Sequence, residues 1–329
     1  MPMRVLITDR FAAEGLDRLR AAGLEVTEAP GLTPAALADA VAGVHAIVVR
    51  SLTQVDAALV ERAPALLVVG RAGVGYENID IEACTRLGIA VLNTPGASAI
   101  TIAERTLALM LALLHQIPAA ERSIRAGKWD RRSFMANEAF AKTLGVLGYG
   151  NVGRVVAARA QALGMKVVVH DPAIASETPF NLGMTAVSFD ALFAQSDVVT
   201  CHVSADPKLR GLISTRELAL MRPGGWLINA ARGFLLDEAA LVHALKSGHL
   251  RGAALDVFER EPLPLDSPLR DFDNVILSPH LGASSAEAER RVSLSVADQV
   301  ARFLTEGVAT NLIAQPAQFR HVAARRPGP

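Results

Sequence analysis

The stretch Thr143–Asp171, TLGVLGYGNVGRVVAARAQALGMKVVVHD, reads as strand, glycine turn, helix and second strand. Gly148, Gly150 and Gly153 stand as G-x-G-x-x-G between the apolar run Thr143–Leu147 and an Ala-rich helix. The first glycine permits a tight turn, the second lets backbone N–H groups approach a pyrophosphate, and the third lets helix pack closely on strand. The N-terminal dipole of that helix favours the anion. The following strand ends on Asp171, 18 residues after Gly153, with no arginine in Pro172-Ala173-Ile174. A carboxylate there accepts hydrogen bonds from both ribose hydroxyls of an adenosine and repels a 2′-phosphate. The stretch therefore predicts a Rossmann unit that takes NAD rather than NADP.

Outward from it, the same alternation continues. Apolar runs at Val198–Cys201, Trp226–Asn229, Ala253–Asp256 and Val275–Leu277 join Thr143–Leu147 and Lys166–His170 in a six-strand series. Before it, strands are expected at Val5–Thr8, Ala46–Val49, Leu66–Val69 and Ala90–Leu92. Near-continuous apolar strands separated by helices indicate parallel sheets covered on both faces. The fold class is α/β, with two doubly wound parallel-sheet domains. Ile100–Gln116 is apolar almost all round, which predicts burial at a domain or subunit interface. Ser285–Glu306, ending at Gly307, is a helix long enough to return the chain to the first domain. The expectation is a Rossmann NAD-binding domain at 99–286 inserted into a discontinuous, flavodoxin-like substrate domain at 1–98 and 287–329. The terminal HVAARRPGP reads as a frayed tail.

Composition narrows the class. The 329 residues exceed what one core usually serves, and 51% hydrophobic with 20% charged suits a packed enzyme. Lys+Arg and Asp+Glu balance at 33 each, so no basic field exists for nucleic acid. Cys84 and Cys201 have no CxxC partner, which argues against a disulfide framework or a metal site and suits a reducing cytoplasm. MPMRVLITDR begins without a signal-peptide segment, and Ala103–Pro118 is too short and too charged for a bilayer, so no membrane role is expected.

Three polar residues follow later strands at the edge where such sheets bind ligands: Arg232 in NAARG, Glu261 in ALDVFEREP and His280 in LSPHLGASS. Singly each reads as an ordinary surface or loop residue; together they suggest a site. His115 reads as packed on its apolar helix, and His170 as the end of its strand. Trp129 fits either a substrate loop or a subunit contact.

With RAGVGYENID, NTPG, GKWDRRSFM, LGVLGYGNVGR, INAARG, GAALDVFEREP and SPHLGASS in order over roughly residues 45 to 290, the chain resembles the D-isomer-specific 2-hydroxyacid dehydrogenases, most of all their phosphoglycerate dehydrogenase branch. The resemblance implies that Arg232, Glu261 and His280 are catalytic. It implies NAD contacts from Asn151, Val152, Asp171, Ala230, Ala231, Asp256 and the stretch His280, Leu281, Gly282, Ala283. It also implies a homodimer built around the nucleotide domain. Val74 and Val203 stand where the family often has hydroxyl residues, and with the sequence ending at Pro329 the regulatory extension of some phosphoglycerate dehydrogenases is not expected.

The implied reaction moves a hydride to or from C2 of a small D-2-hydroxy acid or 2-keto acid. His280 would exchange the proton, Glu261 would hold its ring and raise its pKa, and Arg232 would clamp the substrate carboxylate. The backbone of Ala72, Gly73, Val74 and Gly75 would also meet that carboxylate. Arg50, with Ser51 beside it, and Arg131 match places where the branch binds substrate phosphate, although Gln54 replaces a common lysine. An unpaired guanidinium in a closing cleft is costly, which favours an anionic tail, as in 3-phosphoglycerate and phosphohydroxypyruvate. Hydroxypyruvate or glyoxylate reduction is the alternative. An NAD(H)-sensing protein-binding scaffold and a formate dehydrogenase rank lower, the latter because its family has Gln where Glu261 stands.

Overall fold

The computed structural model describes residues 2–174 and 183–320. The tail at 321–329, expected to fray, lies outside the described residues. Along the chain run strands β1 (Arg4–Ile7), β2 (Glu25–Glu28), β3 (Ala46–Val49), β4 (Val68–Arg71), β5 (Ala90–Leu92), β6 (Thr143–Leu147), β7 (Lys166–His170), β8 (Thr185–Ala186), β9 (Val198–Cys201), β10 (Gly225–Asn229), β11 (Leu250–Leu255), β12 (Val275–Leu277) and β13 (Leu312–Ala314). They fall into two compact units, one of Met1–Ser98 and Ser284–Pro329, the other of Ala99–Ala283.

The first unit's sheet has the order β13-β5-β4-β3-β1-β2, parallel except for β13, which pairs antiparallel with β5. Without β13 this is the flavodoxin-like 2-1-3-4-5 order, which reverses between β1 and β3. The second sheet runs β12-β11-β10-β9-β6-β7-β8, all parallel, and reverses between β6 and β9 as a Rossmann sheet does. Every residue of β3, β9 and β10 is buried, as expected for strands covered on both faces.

Core packing follows the strand period of two. In β6, Leu144 and Val146 face one helical layer and Leu147 the other, where it meets Val199, Cys201 and Leu255. The helix Ala286–Glu306 is capped by the Ser285 side chain, which accepts from Ala288 N, and stops at Gly307, φ +73°. It lies on β4 and β5. Its approach depends on Gly70: a Cβ there would stand 2.8 Å from methyls of both Val296 and Val300.

Several boundaries differ from the sequence expectation. Leu66–Val69 becomes β4 at Val68–Arg71, and Ala253–Asp256 becomes Leu250–Leu255. Three strands were not foreseen. β2 has no fully buried residue, β8 has two residues, and β13 has one buried residue. Such short edge strands carry little periodic signal. The apolar helix runs Ala99–Leu114 and then breaks, Gln116 adopting φ +54° before Ile117-Pro118. It packs within its own unit, on the helix Asn151–Ala162 and on β10, β11 and β12. His115, expected to be packed, is exposed in that break.

Cys84 and Cys201 are free and buried, and burial pushes both thiols up to about 12. Among the described residues no single helix is long and apolar enough to cross a membrane.

Candidate active site

The second sheet presents its functional groups at the C-terminal ends of β6, β7, β10, β11 and β12. At the end of β6, Gly148 takes φ +91°, and a Cβ there would come within 2.7–2.8 Å of the backbone of His202 and Val203. Gly153 is equally constrained: its Cβ would stand 2.0 Å from Gly148 O, so the helix can start this close to the strand only without a side chain. Among the described residues Gly150 faces open space, with nothing within 4 Å of where a Cβ would stand. The three glycines thus divide into two that pack the turn and one that leaves room above it. Asn151 and Val152 open the helix Asn151–Ala162, whose first N–H groups have no partner within the helix.

Asp171, just past β7, accepts from Tyr149 N at 2.8 Å and from Ala173 N at 2.9 Å, which ties it to the glycine turn. His170 ends β7 as expected, with Nδ1 3.0 Å from Val187 O. His202, past β9, sits beside Gly148 with Nε2 2.9 Å from Thr200 Oγ1, and desolvation pushes it down to about 3. It is therefore neutral and not a proton carrier at ordinary pH.

After β10, Asn229 shapes the next loop. Fully buried, it accepts from Ala231 N at 3.1 Å and donates to Arg232 O at 2.9 Å, fixing Ala230, Ala231 and Arg232 in a tight turn. After β11, Asp256 is fully buried. Its Oδ1 accepts from Ser278 Oγ and from Leu281 N at 3.0 Å. Its Oδ2 has no hydrogen-bond partner among the described residues and lies beside Gly282, 3.3 Å from where a Cβ would be. A buried carboxylate oxygen without a donor costs about 1–3 kcal/mol or more. It asks for an incoming N–H, which the carboxamide of nicotinamide would supply. Together with the space over Gly150 and the Asp171 carboxylate just past β7, this donor and acceptor set fits NAD.

His280 follows β12 in the left-handed region, φ +52°. Its N–H is shared between Asp256 O at 2.8 Å and Ser278 O at 3.0 Å, contacts that hold the unfavourable conformation. Its Nδ1 lies 2.7 Å from Glu261 Oε2. That hydrogen bond raises the imidazole pKa, against desolvation and the Arg232 charge, with the charges of Glu261 and Asp256 adding to the rise. Burial pushes the Glu261 carboxyl upward, but hydrogen bonds from His280 and Phe258 N and the charges of His280 and Arg232 leave it lowered. Arg232 is therefore electrostatically coupled to both partners. Such a trio can hold a carboxylate, polarise a carbonyl and exchange one proton.

Two further residues set this geometry. A Cβ on Gly233 would stand 1.8 Å from Phe258 O and 2.5 Å from Glu259 N, so the loop carrying Glu261 lies directly on the residue after Arg232. Glu238 accepts from Glu259 N at 2.7 Å. Asn229, Gly233, Glu238 and Ser278 were not singled out from sequence. Asn229 and Gly233, which flank Ala-Ala-Arg, and Ser278, which opens SPHLGASS, stand in quoted motifs and so carried some signal, whereas Glu238 carried none.

The substrate candidates are distributed differently. Arg50, Ser51 and the turn Ala72–Gly75 belong to the first unit. Arg50 is not unpaired, contrary to the premise drawn from sequence: its Nη1 lies 3.4 Å from Glu289 Oε2. Arg131 lies in an exposed stretch of the second unit whose Lys128, Asp130 and Phe134 line a cavity of about 530 Å³. Trp226, Arg251 and Asn274 line it too, and these sit at the N-terminal ends of β10–β12, opposite His280. Within one chain, Arg131 does not join the catalytic candidates. Trp129, in the same stretch, is 81% exposed.

Comparison with known proteins gives a consistent picture. The model of the D-isomer specific 2-hydroxyacid dehydrogenase, NAD binding domain, matches residues 107–282. The chain is 45% identical over 298 residues to a D-3-phosphoglycerate dehydrogenase of Archaeoglobus fulgidus, covering 91% of this chain and 56% of that one. The chain spans 53–60% of the length of the first curated relatives it matches. Among solved structures, a protein of Thermus thermophilus aligns with TM-score 0.84 and 36% identity over 93% of this chain and 98% of that one. A glyoxylate reductase of Paecilomyes thermophila aligns with TM-score 0.84 and 30% identity over 95% and 98%.

Proposed function

Since the chain belongs to the D-isomer specific 2-hydroxyacid dehydrogenase family, we propose that it is an NAD-dependent oxidoreductase acting at C2 of a small D-2-hydroxy acid or 2-keto acid. The observation that carries this reading is the 2.7 Å His280–Glu261 pair, coupled to Arg232, on the sheet edge that also bears the glycine turn. Bound there, nicotinamide would accept or supply the hydride. The chain's own residues do the rest. Gly150, Asn151, Val152 and Asp171 hold the dinucleotide, and Ala230, Ala231, Asp256 and Leu281–Ala283 line its reactive end.

Arg232 fixes the substrate carboxylate and polarises the C2 oxygen with a planar, permanent charge. In reduction His280, as imidazolium, gives a proton to that oxygen. In oxidation the neutral ring takes the hydroxyl proton, and Glu261 stabilises the charged ring by holding Nδ1–H. The family likeness assigns the turn Ala72–Gly75 backbone N–H contacts to a substrate carboxylate.

For the substrate's tail, the 45% identity to a D-3-phosphoglycerate dehydrogenase supports phosphohydroxypyruvate and 3-phosphoglycerate, with Arg50 as a phosphate ligand. Arg131 would serve the same site only from a second copy. The Arg50–Glu289 pair favours a second reading, hydroxypyruvate or glyoxylate reduction, because Arg50 already has a counter-ion. The test is NADH oxidation with a panel of 2-keto acids. NADH binding without turnover of any of them would replace the enzyme by an NAD(H)-sensing scaffold.

The working unit is a homodimer formed through the nucleotide unit, in the cytoplasm. Support comes from the helix Ile117–Arg125, which has no buried residue, and from Ile117, Ile124, Trp129, Met135 and Phe140, all more than half exposed. Several large apolar side chains exposed over one stretch of chain, residues 117–140, suit a partner surface. A monomeric mass by light scattering at micromolar concentration would remove the dimer.

A further inference from the structure

In the first sheet the strand order reverses between β1 and β3, the place where open α/β sheets bind ligands. Asp9 and Arg10 follow β1, and Arg50 follows β3. Asp9 is buried and satisfied locally, accepting from Arg50 N, from Thr53 N at 3.4 Å and from Thr53 Oγ1 at 3.1 Å. Its charge is spent on shaping the turn after β3. Arg71 ends β4, in register with Val49, and its Nη1 donates to Ala72 O at 2.6 Å over the Ala72–Gly73 turn. Three arginines thus gather at one sheet edge.

Glu289, in the first turn of the helix Ala286–Glu306, stands between two of them. Its carboxylate lies 2.9 Å from Arg10 Nε and 3.4 Å from Arg50 Nη1. The Glu289 side chain is only 16% exposed and that of Arg50 27%, so solvent screens this contact less than an ordinary surface pair. Its charged neighbours on the helix are engaged elsewhere: Arg290 with Glu14, and Arg291 Nε with Ala97 O.

We propose that Glu289 is a specificity-determining residue, an internal counter-ion held by Arg10 and Arg50 that sets how strongly this edge attracts an anionic substrate tail. The proposal rests on the dehydrogenase reading and on the assignment of Arg50 to the tail. A tail phosphate meets a guanidinium already paired and a carboxylate of its own sign within a few ångströms. A neutral hydroxymethyl tail meets neither penalty. Glu289 therefore discriminates against the phosphorylated substrate, and its removal should favour that substrate selectively.

The experiment measures kcat and KM for phosphohydroxypyruvate and hydroxypyruvate in the parent, Glu289→Gln, Arg50→Ala and the double variant, with a melting temperature for each. Glu289→Gln should raise the efficiency ratio of phosphohydroxypyruvate to hydroxypyruvate about tenfold, through KM for the anionic substrate. Hydroxypyruvate kinetics should stay unchanged, and the gain should vanish when Arg50→Ala is added. An unchanged ratio in a Glu289→Gln protein that melts like the parent overturns the proposal, as does an equal change for both substrates, the mark of a purely structural tie. Failure of the underlying reading looks different. If Arg50→Ala leaves the parent's ratio untouched, the tail does not meet Arg50; if the parent reduces neither substrate, the assigned reaction is wrong, and the proposal falls with it in both cases.

Discussion

The two sheets reverse strand order in the same manner, yet their reversal points are completed differently. Beside β6 and β9 the second sheet leaves space over Gly150 among the described residues. Farther along the same edge, Asp256 keeps a buried oxygen without a donor and His280 a left-handed backbone. Beside β1 and β3 the first sheet closes on itself: Asp9 takes donors from Arg50 and Thr53, and Glu289 faces Arg10 and Arg50. An unsatisfied acceptor and a strained residue each cost about 1–3 kcal/mol, and they persist where a ligand completes them. On the proposed reading, the edge left unfinished takes the cofactor and the proton chemistry. The self-neutralised edge is where selectivity is tuned.

The change expected to break this contrast most is His280→Ala. Turnover should fall roughly 10²–10⁴-fold in both directions, with NADH affinity by fluorescence titration largely kept. A near-parental rate would mean that the strained edge does no chemistry. Next is Asp171→Ser, which should weaken NADH binding about 10–100-fold while NADPH binding changes less. Because Asp171 also accepts from Tyr149 N and Ala173 N, a melting temperature belongs beside the two dissociation constants. Equal losses for both cofactors would detach Asp171 from cofactor choice.

Glu261→Gln keeps the shape and removes the charge that raises the His280 pKa. The imidazole then stays neutral to lower pH. Oxidation of the hydroxy acid, which needs the neutral ring, should extend to lower pH, and reduction, which needs imidazolium, should be lost earlier as pH rises. Superimposable pH–rate profiles for variant and parent would refute the role given to Glu261. The smallest effect expected is that of Gly233→Ala, whose Cβ must push the 258–261 loop aside. It should cost about 1–3 kcal/mol in stability and displace the pH profile in the same direction as Glu261→Gln. Parental melting and an unmoved profile would show that Gly233 does not hold that loop.

How much could be read beforehand depended on distance along the chain. The glycine turn, Asp171 and strands such as β3, β6 and β12 were legible because each is a local pattern of adjacent residues. The caps of the long helix, Ser285 and Gly307, were visible for the same reason. β2 and β13 were not, since strands of four and three residues with at most one fully buried position have no period to detect. The break after Leu114 falls at the polar pair His115-Gln116 ahead of Pro118, a local signal that the reading of one helix to Gln116 passed over.

The sequence by itself determined two series of buried strands, the phosphate-binding turn with its acid, and the candidates Arg232, Glu261 and His280. Tertiary structure alone decided what those residues do to one another. It set the 2.7 Å His280–Glu261 contact, the orphaned oxygen of Asp256, the bed that Gly233 makes for the Glu261 loop, and the counter-ion that Glu289 gives Arg50. Arg50 and Glu289 are 239 residues apart, and no periodicity spans such a separation. Charge pairing weakens with distance, so only the path of the chain through the sheets and helices determines which charges meet.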